Sequence, residues 1–150
     1  MKAVLQRVKY SNVKIDDNIV GNCGNGFMIL LGVMQGDTLH DVDKLVNKIP
    51  NLRVFEDDKG KMNRSLLDTG GELLVISQFT LCADCTHGRR PSFTDSAPPQ
   101  EANNLYELFV QKLRDAGVTR VQTGEFGADM QVELVNDGPV TIILDSRELH

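Results

Sequence analysis

The sequence has 150 residues, 41% of them hydrophobic, and its 16 Lys and Arg against 21 Asp and Glu give a formal net charge of −5. A chain of this length typically forms one domain that buries about 68–70% of its unfolded surface without a disulfide or a metal. The acidic balance excludes a protein that coats nucleic acid with a broad basic surface. The longest apolar run, residues 27–33, is far shorter than the ~20 residues of a membrane-spanning helix, so we expect no membrane span.

The first residues and the cysteines bear on the compartment. Lys2–Val8 is a mixed, strand-like segment that lacks the apolar core of a signal peptide. Three cysteines without an evident pairing fit a reducing compartment. We therefore expect a cytoplasmic protein with one domain, residues 1–150.

In the first half of the chain, segments rich in Val, Ile and Leu predict four strands: Ala3–Tyr10, Asn12–Ile15, Ile19–Asn22 and Gly26–Met34. Turn residues at 16–18 separate the second strand from the third. Apolar residues spaced by three and four predict an amphipathic helix from Leu39 to Ile49, ended by Pro50. Asp37 is the expected N-cap of this helix.

The second half predicts four more strands and one more helix. The strands are Arg53–Glu56, Glu72–Leu81, Met130–Val135 and Val140–Leu144. Turn residues follow the first of them at 57–60 and separate the last two at 136–139. The helix begins near Pro98–Pro99 and ends at Gly117. We therefore predict an α+β fold, in which two amphipathic helices pack on a mainly antiparallel, barrel-like sheet.

Positive charge is concentrated at two places in an otherwise acidic chain. Residues 1–75 carry ten basic and ten acidic side chains, whereas residues 76–150 carry six basic and eleven acidic ones. The two basic clusters are Lys59, Lys61 and Arg64, and Arg89 with Arg90. Each cluster can hold one or two phosphates, or can be a solvated turn or loop.

A Cys-x-x-Cys pair followed by a histidine, formed by Cys82, Cys85 and His87, could supply three zinc ligands or a redox dithiol. A structural zinc site needs a fourth ligand. The remaining candidates are Cys23, His40 and His150. We therefore predict incidental thiols and no metal, with a zinc or redox protein as an alternative.

The histidines are poorly placed for nucleophilic catalysis, which needs a base held near a Ser or Thr. His40 lies on the polar side of the first helix, His87 lies in a Gly-Arg-Arg loop, and His150 is the last residue. The sequence also lacks the Gly-x-Ser-x-Gly, His-Glu-x-x-His, Walker and Gly-x-Gly-x-x-Gly motifs. Common hydrolase, metalloprotease and nucleotide-binding mechanisms are therefore disfavoured.

At Ser77–Leu81 a buried apolar strand abruptly becomes polar. Hydroxyl, amide and free backbone N–H groups at a strand end can form an oxyanion-type pocket, because fixed donors stabilise charge on a carbonyl oxygen. A half-buried edge strand would show the same residues.

The segment Asn136–Thr141 contains Gly138 followed by Pro139. Its default interpretation is a hairpin turn between two strands. A Gly-Pro bond can instead be cis, and its rigidly directed carbonyls could then exclude a side chain and so sense chirality. Both interpretations stay open on the residues alone.

Together these segments resemble the D-aminoacyl-tRNA deacylases, formerly called D-tyrosyl-tRNA deacylases. The similarity runs essentially end to end, and only the tail after Leu144 and the stretch 82–87 differ from the usual pattern. The matching motifs are Leu5–Val8, Leu30–Val33, Lys61–Asn63, Ser77–Leu81, Arg90–Phe93, Gly127–Met130 and Asn136–Thr141.

The resemblance implies a homodimeric editing enzyme that hydrolyses the ester between a D-amino acid and the 3′ end of tRNA. It also implies activity on mischarged glycyl-tRNA, with no metal or other cofactor. A cis Gly138-Pro139 motif would reach into the partner subunit's active site and reject L-amino acids. Arg7 would help to fix this motif, while Met130 would line the adenine site and Asn136 would contact the substrate.

The same resemblance gives the catalytic pocket to Ser77, Gln78, Phe79 and Thr80, which would receive the aminoacyl carbonyl and the terminal adenosine. Thr80 is the obvious nucleophile, yet no base stands near it in the sequence. The resemblance implies instead that the 2′-hydroxyl of the tRNA assists hydrolysis, while Phe79 and Thr80 supply backbone donors. A non-catalytic RNA- or nucleotide-binding module is the alternative.

Overall fold

The computed structural model describes residues 1–150 and contains a six-stranded sheet, a separate two-stranded hairpin and three α-helices. The strands are β1 (Lys2–Ile15), β2 (Asn18–Cys23), β3 (Gly26–Gly32), β4 (Phe55–Glu56), β5 (Met62–Arg64), β6 (Glu72–Ser77), β7 (Val121–Thr123) and β8 (Gln131–Asp145). The helices are α1 (Leu39–Lys48), α2 (Leu66–Thr69) and α3 (Pro99–Asp115). None of the helices is long and apolar enough to cross a membrane.

Strand β1 organises the main sheet. One edge of β1 pairs antiparallel with β3 and then with β2, and its other edge pairs antiparallel with β8. Beyond β3, the strands β6 and β7 are added in parallel. Strand β2 approaches β7 without pairing with it, and the Asn22 amide donates to Gln122 Oε1 at 3.1 Å. A Cβ on Gly21 would lie 2.3 Å from the Thr123 carbonyl oxygen, so only glycine allows this approach.

The predicted α+β fold with a barrel-like, mainly antiparallel sheet is therefore confirmed. The larger hydrophobic core lies between the sheet and the helices α1 and α3, and contains Phe27, Leu45 and Phe109. A smaller cluster uses the opposite side chains of the same strands, among them Met28 and Leu74. Burial of both faces gives the sheet two cores because side chains alternate along each strand.

The predicted N-cap of α1 is wrong by one residue. Thr38 is the cap, since its hydroxyl oxygen accepts from the His40 amide at 3.2 Å and the Asp41 carboxylate accepts from the Thr38 amide. The Asp37 carboxylate instead accepts from the Met34 amide at 2.7 Å and lies 2.8 Å from the Met1 amine. Asp37 thus stabilises the segment that precedes the helix, and is not its N-cap.

Several predicted strand boundaries also differ: the strand that begins at Gly26 ends at Gly32 rather than Met34, and the strand predicted from Arg53 begins at Phe55. The strand that begins at Glu72 ends at Ser77, because residues 79–82 turn into a 3₁₀ helix. The predicted break at Ser11 is absent, since its buried hydroxyl donates to the Glu133 carbonyl at 2.8 Å and the strand continues to Ile15.

Of the two interpretations of residues 136–139, the hairpin turn is wrong. Both halves of β8 run antiparallel to β1, so the chain does not reverse at this point. Asn136 pairs with Val8 and Thr141 with Gln6, which leaves residues 137–140 opposite Arg7 alone. These four residues form a bulge that projects from an otherwise continuous strand.

Candidate functional site

A pocket of about 730 Å³ opens where β6 ends. Most of its lining comes from three segments: residues 76–79, residues 93 and 96–99 before and at the start of α3, and residues 126–130 before β8. The turn after β6 can lie against β3 because residue 32 is glycine: a Cβ there would come 2.9 Å from Leu81 Cβ. The Gln78 amide donates to the Leu31 carbonyl at 2.8 Å and fixes the start of the turn.

Three of the four predicted catalytic residues line this pocket. Ser77 and Gln78 are half-buried in its wall, and Phe79 is exposed at its rim. Thr80 is exposed, lies outside the wall, and accepts a hydrogen bond on its hydroxyl from the Gln78 side-chain amide. The Thr80 hydroxyl therefore belongs to the turn rather than to the cavity.

Backbone donors are left free at the same turn. The N–H groups of Phe79 and Thr80 donate to no acceptor within the chain, as is usual for the first residues of a helical turn. Asp129 is the one titratable residue among those that line the pocket, and none of the three histidines lines it. The pocket wall thus carries hydroxyl groups and lies beside two unpaired backbone donors, but it holds no histidine.

Met130, which directly precedes β8, also contributes to the pocket wall. It lines the pocket, and its Sδ lies so close to Gly124 that a Cβ there would come within 2.5 Å of the sulfur. The predicted residues Ser77, Gln78, Phe79 and Met130 are therefore brought together in one cavity. Two aromatic residues of the pocket wall, Phe93 and Phe126, were not predicted as site residues, although Phe93 belongs to one of the motifs that match the family.

The other predicted residues form a second group at the bulge of β8. The Gly138-Pro139 peptide bond is cis, and both residues are exposed and absent from the pocket of their own chain. Asn136 is exposed beside them. Gly138 has φ +129°, a conformation that favours glycine.

Arg7 is hydrogen-bonded to the backbone of this bulge. Its side chain is only 6% exposed; Nε donates to the Asp137 carbonyl at 3.0 Å and Nη1 donates to the Val54 carbonyl at 2.6 Å. One guanidinium group therefore ties the bulge to the segment that leads into β4. The Val54 contact could not have been predicted from local sequence, because the two residues are far apart in the chain.

The residues of the zinc or redox alternative do not form a cluster of ligands. Cys82 is buried, its thiol donates to the Val33 carbonyl at 3.5 Å, and burial raises its pKa. Cys85 and His87 are exposed on the loop that follows. No group of three or more His, Cys, Asp or Glu in the chain could hold a metal ion.

The barrel-like α+β sheet thus carries a pocket at the end of β6, beside two backbone N–H groups that have no acceptor within the chain. The family model described as D-Tyr-tRNA(Tyr) deacylase matches residues 4–145. A D-aminoacyl-tRNA deacylase of Clostridioides difficile is 59% identical over 97% of both chains, and one of Aquifex aeolicus is 54% identical over 99% of this chain and 100% of its own. The chain therefore belongs to the D-Tyr-tRNA(Tyr) deacylase family, as the sequence motifs predict.

Two solved structures are similar to the chain. A structure described as c-Myc DNA Unwinding Element Binding Protein superposes with a TM-score of 0.92 at 41% identity, covering 97% of this chain and 98% of that chain. A probable eukaryotic D-amino acid tRNA deacylase superposes with a TM-score of 0.82 at 18% identity, covering 95% and 97%. The second similarity concerns the fold alone.

Proposed function

We propose that the protein hydrolyses the ester bond of D-aminoacyl-tRNA and releases the D-amino acid and the tRNA. The observation that carries this proposal is the end of β6, where Ser77, Gln78 and Phe79 line the pocket and the N–H groups of Phe79 and Thr80, in the turn at its edge, donate to no acceptor within the chain. Donors of this kind stabilise the oxyanion that forms when an ester carbonyl is attacked. Membership of the deacylase family supports the same substrate class.

The chemistry is assigned to the substrate and not to a protein nucleophile. Water adds to the ester carbonyl, the bond to the 3′-oxygen breaks, and that oxygen leaves with a proton. The 2′-hydroxyl of the terminal ribose stands next to the reacting ester and assists this proton transfer. The proposal is supported by the pocket wall, which holds no histidine and only one carboxylate, Asp129.

Stereochemical selection is assigned to a second subunit. Gly138 and Pro139 are exposed and lie outside the pocket of their own chain, so they can act as a filter only in the pocket of a partner. A homodimer is further supported by apolar side chains exposed on the strand pair β1 and β8: Tyr10 is 42%, Val135 39% and Ile143 74% exposed. Glycine has no side chain, so glycyl-tRNA would pass the same filter.

The remaining residues have supporting roles in this proposal. Arg7 positions the bulge through two carbonyls, Met130 contacts the terminal adenine, and Asn136 contacts the substrate beside the filter.

The direct test compares D- and L-aminoacyl-tRNA made from the same tRNA and amino acid. We expect the D-form to be deacylated at least about 100-fold faster, because a clash worth about 3 kcal/mol would disfavour the L-form. The measurement is release of labelled amino acid, corrected for spontaneous hydrolysis. Equal rates would contradict the proposal, and tight binding without turnover would favour the non-catalytic RNA-binding module.

Thr80→Ala separates the two catalytic schemes. The substitution removes the hydroxyl but keeps the backbone donor, so we expect no more than a tenfold loss, about one hydrogen bond's worth. Loss of a true nucleophile would cost roughly 10⁴-fold or more. The single-turnover rate on D-aminoacyl-tRNA decides, with Thr80→Ser as the matched control. If Thr80→Ala binds substrate but is inactive while Thr80→Ser is active, Thr80 is the nucleophile.

A further inference from the structure

The loop between Asp84 and Ser92 is anchored beside the rim of the pocket. Two backbone hydrogen bonds close the loop: the Asp84 amide donates to Ser92 at 2.8 Å and the Ser92 amide donates to Asp84 at 2.9 Å. The next residue, Phe93, lines the pocket and packs against Phe79 with ring centroids 5.1 Å apart. Both rings are exposed at the rim, at 37% and 54%, so the base of the loop lies at the entrance.

This loop carries two arginines that form no hydrogen bond or ion pair within the chain. Six of the eight arginines donate to an acceptor elsewhere in the chain: Arg7, Arg53, Arg64, Arg114, Arg120 and Arg147. Arg89 and Arg90 make no hydrogen bond and no ion pair, and both are exposed. The only carboxylate of the loop, Asp84, accepts from the Thr86 amide and hydroxyl instead.

These two cations lie where they could reach the phosphates of an RNA whose end occupies the pocket. Seven residues span the loop, so its tip lies within about 12 Å of the closing pair. A guanidinium group binds a phosphate through two parallel hydrogen bonds, which a free arginine can form without breaking a contact in the protein. The one charge in the pocket wall, Asp129, is negative and would repel a phosphate.

We propose that Arg89 and Arg90 bind the phosphates of the tRNA nucleotides that immediately precede the terminal adenosine. This inference rests on the proposed function, because it takes the terminal adenosine to lie in the pocket. It assigns the Arg89–Arg90 cluster to substrate binding and gives the acidic protein a local, phosphate-specific contact. The acidic surface elsewhere does not conflict with such a contact.

The test measures kcat/KM against salt concentration for two substrates, D-aminoacyl-tRNA and the matching D-aminoacyl-adenosine, which has no phosphate. Two lost contacts to a single strand should make the logarithmic salt slope shallower by about 1.4 and lower kcat/KM on tRNA about 25-fold at 0.1 M salt. We expect both effects in the double variant Arg89→Ala/Arg90→Ala, and neither on D-aminoacyl-adenosine. Arg89→Lys/Arg90→Lys should restore most of the slope.

Lys48→Glu is the matched control, because it changes the net charge by the same amount at an exposed residue of α1 that does not line the pocket. An unchanged salt slope in the double alanine variant overturns the inference while leaving the proposed function intact. So does an equal loss on D-aminoacyl-adenosine, or an equal loss in Lys48→Glu. A wild-type protein that cleaves neither substrate overturns the proposed function, and the inference with it.

Discussion

A D-aminoacyl-tRNA whose terminal adenosine lacks the 2′-hydroxyl should be cleaved about 10²- to 10⁴-fold more slowly, the range of a lost general acid–base group. The reason is the composition of the pocket, where Asp129 is the single titratable residue of the wall and the Thr80 hydroxyl lies outside it. Because the wall holds no histidine and only one carboxylate, the proposed mechanism assigns the proton transfer to the neighbouring hydroxyl. The measurement is the single-turnover rate at saturating enzyme.

The matched control is a tRNA that lacks the 2′-hydroxyl one nucleotide earlier, which has the same chemistry away from the ester. Its rate should equal that of the unmodified substrate. Binding of the terminal deoxy substrate should also be little changed, since the defect is assigned to the reaction step. If the terminal deoxy substrate is cleaved at the normal rate, the protein itself supplies the missing group.

Gly138→Ala should lower D-aminoacyl-tRNA cleavage about 100-fold or reduce the discrimination against L-aminoacyl-tRNA by a similar factor. At φ +129° an added Cβ is strained, and it would lie 3.1 Å from Arg7 Nη2 and 3.0 Å from Val140 Cγ2. The bulge must therefore shift against the arginine that holds it. A shift of about 1 Å in a positioning group costs roughly 10²-fold.

The ratio of D- to L-specific rates checks this prediction, with Gly70→Ala as control. Gly70 also has a positive φ, +67°, but it lies outside the bulge and an added Cβ meets nothing within 4 Å, so it controls for a Cβ added at a positive-φ glycine elsewhere in the chain. Arg7→Ala should produce the same defect by leaving the Asp137 and Val54 carbonyls without their donor. Wild-type rates and selectivity in both variants would show that the bulge does not act as the filter.

Much of the fold follows from local sequence because its long elements carry a clear period. The apolar stripes of α1 and α3 and the Val- and Ile-rich strands identify both helices and most of the sheet. Short elements such as β5, β7 and α2 have only three or four residues, too few to show a period. Their conformations depend on contacts across the chain, such as the parallel pairing of β7 with β6.

Local sequence was sufficient to predict one part of the candidate site but not the other. The change from apolar to polar residues at Ser77 marks the end of β6, and it is visible locally. The Asn136–Pro139 segment has the composition of a turn, and only the pairing of both its flanks with β1 makes it a bulge. Composition records local preference, whereas the path of the chain is decided by the strand beside it.

The buried guanidinium of Arg7 has a consequence for how selectivity can change. It joins the Asp137 carbonyl to the Val54 carbonyl, which lies just before the exposed hairpin of β4 and β5. The exposed bulge is thereby tied, through one buried side chain, to a segment that does not line the pocket of its own subunit. Under the proposed function, we therefore expect substitutions near Val54 to change chiral discrimination while the bulge keeps its own sequence.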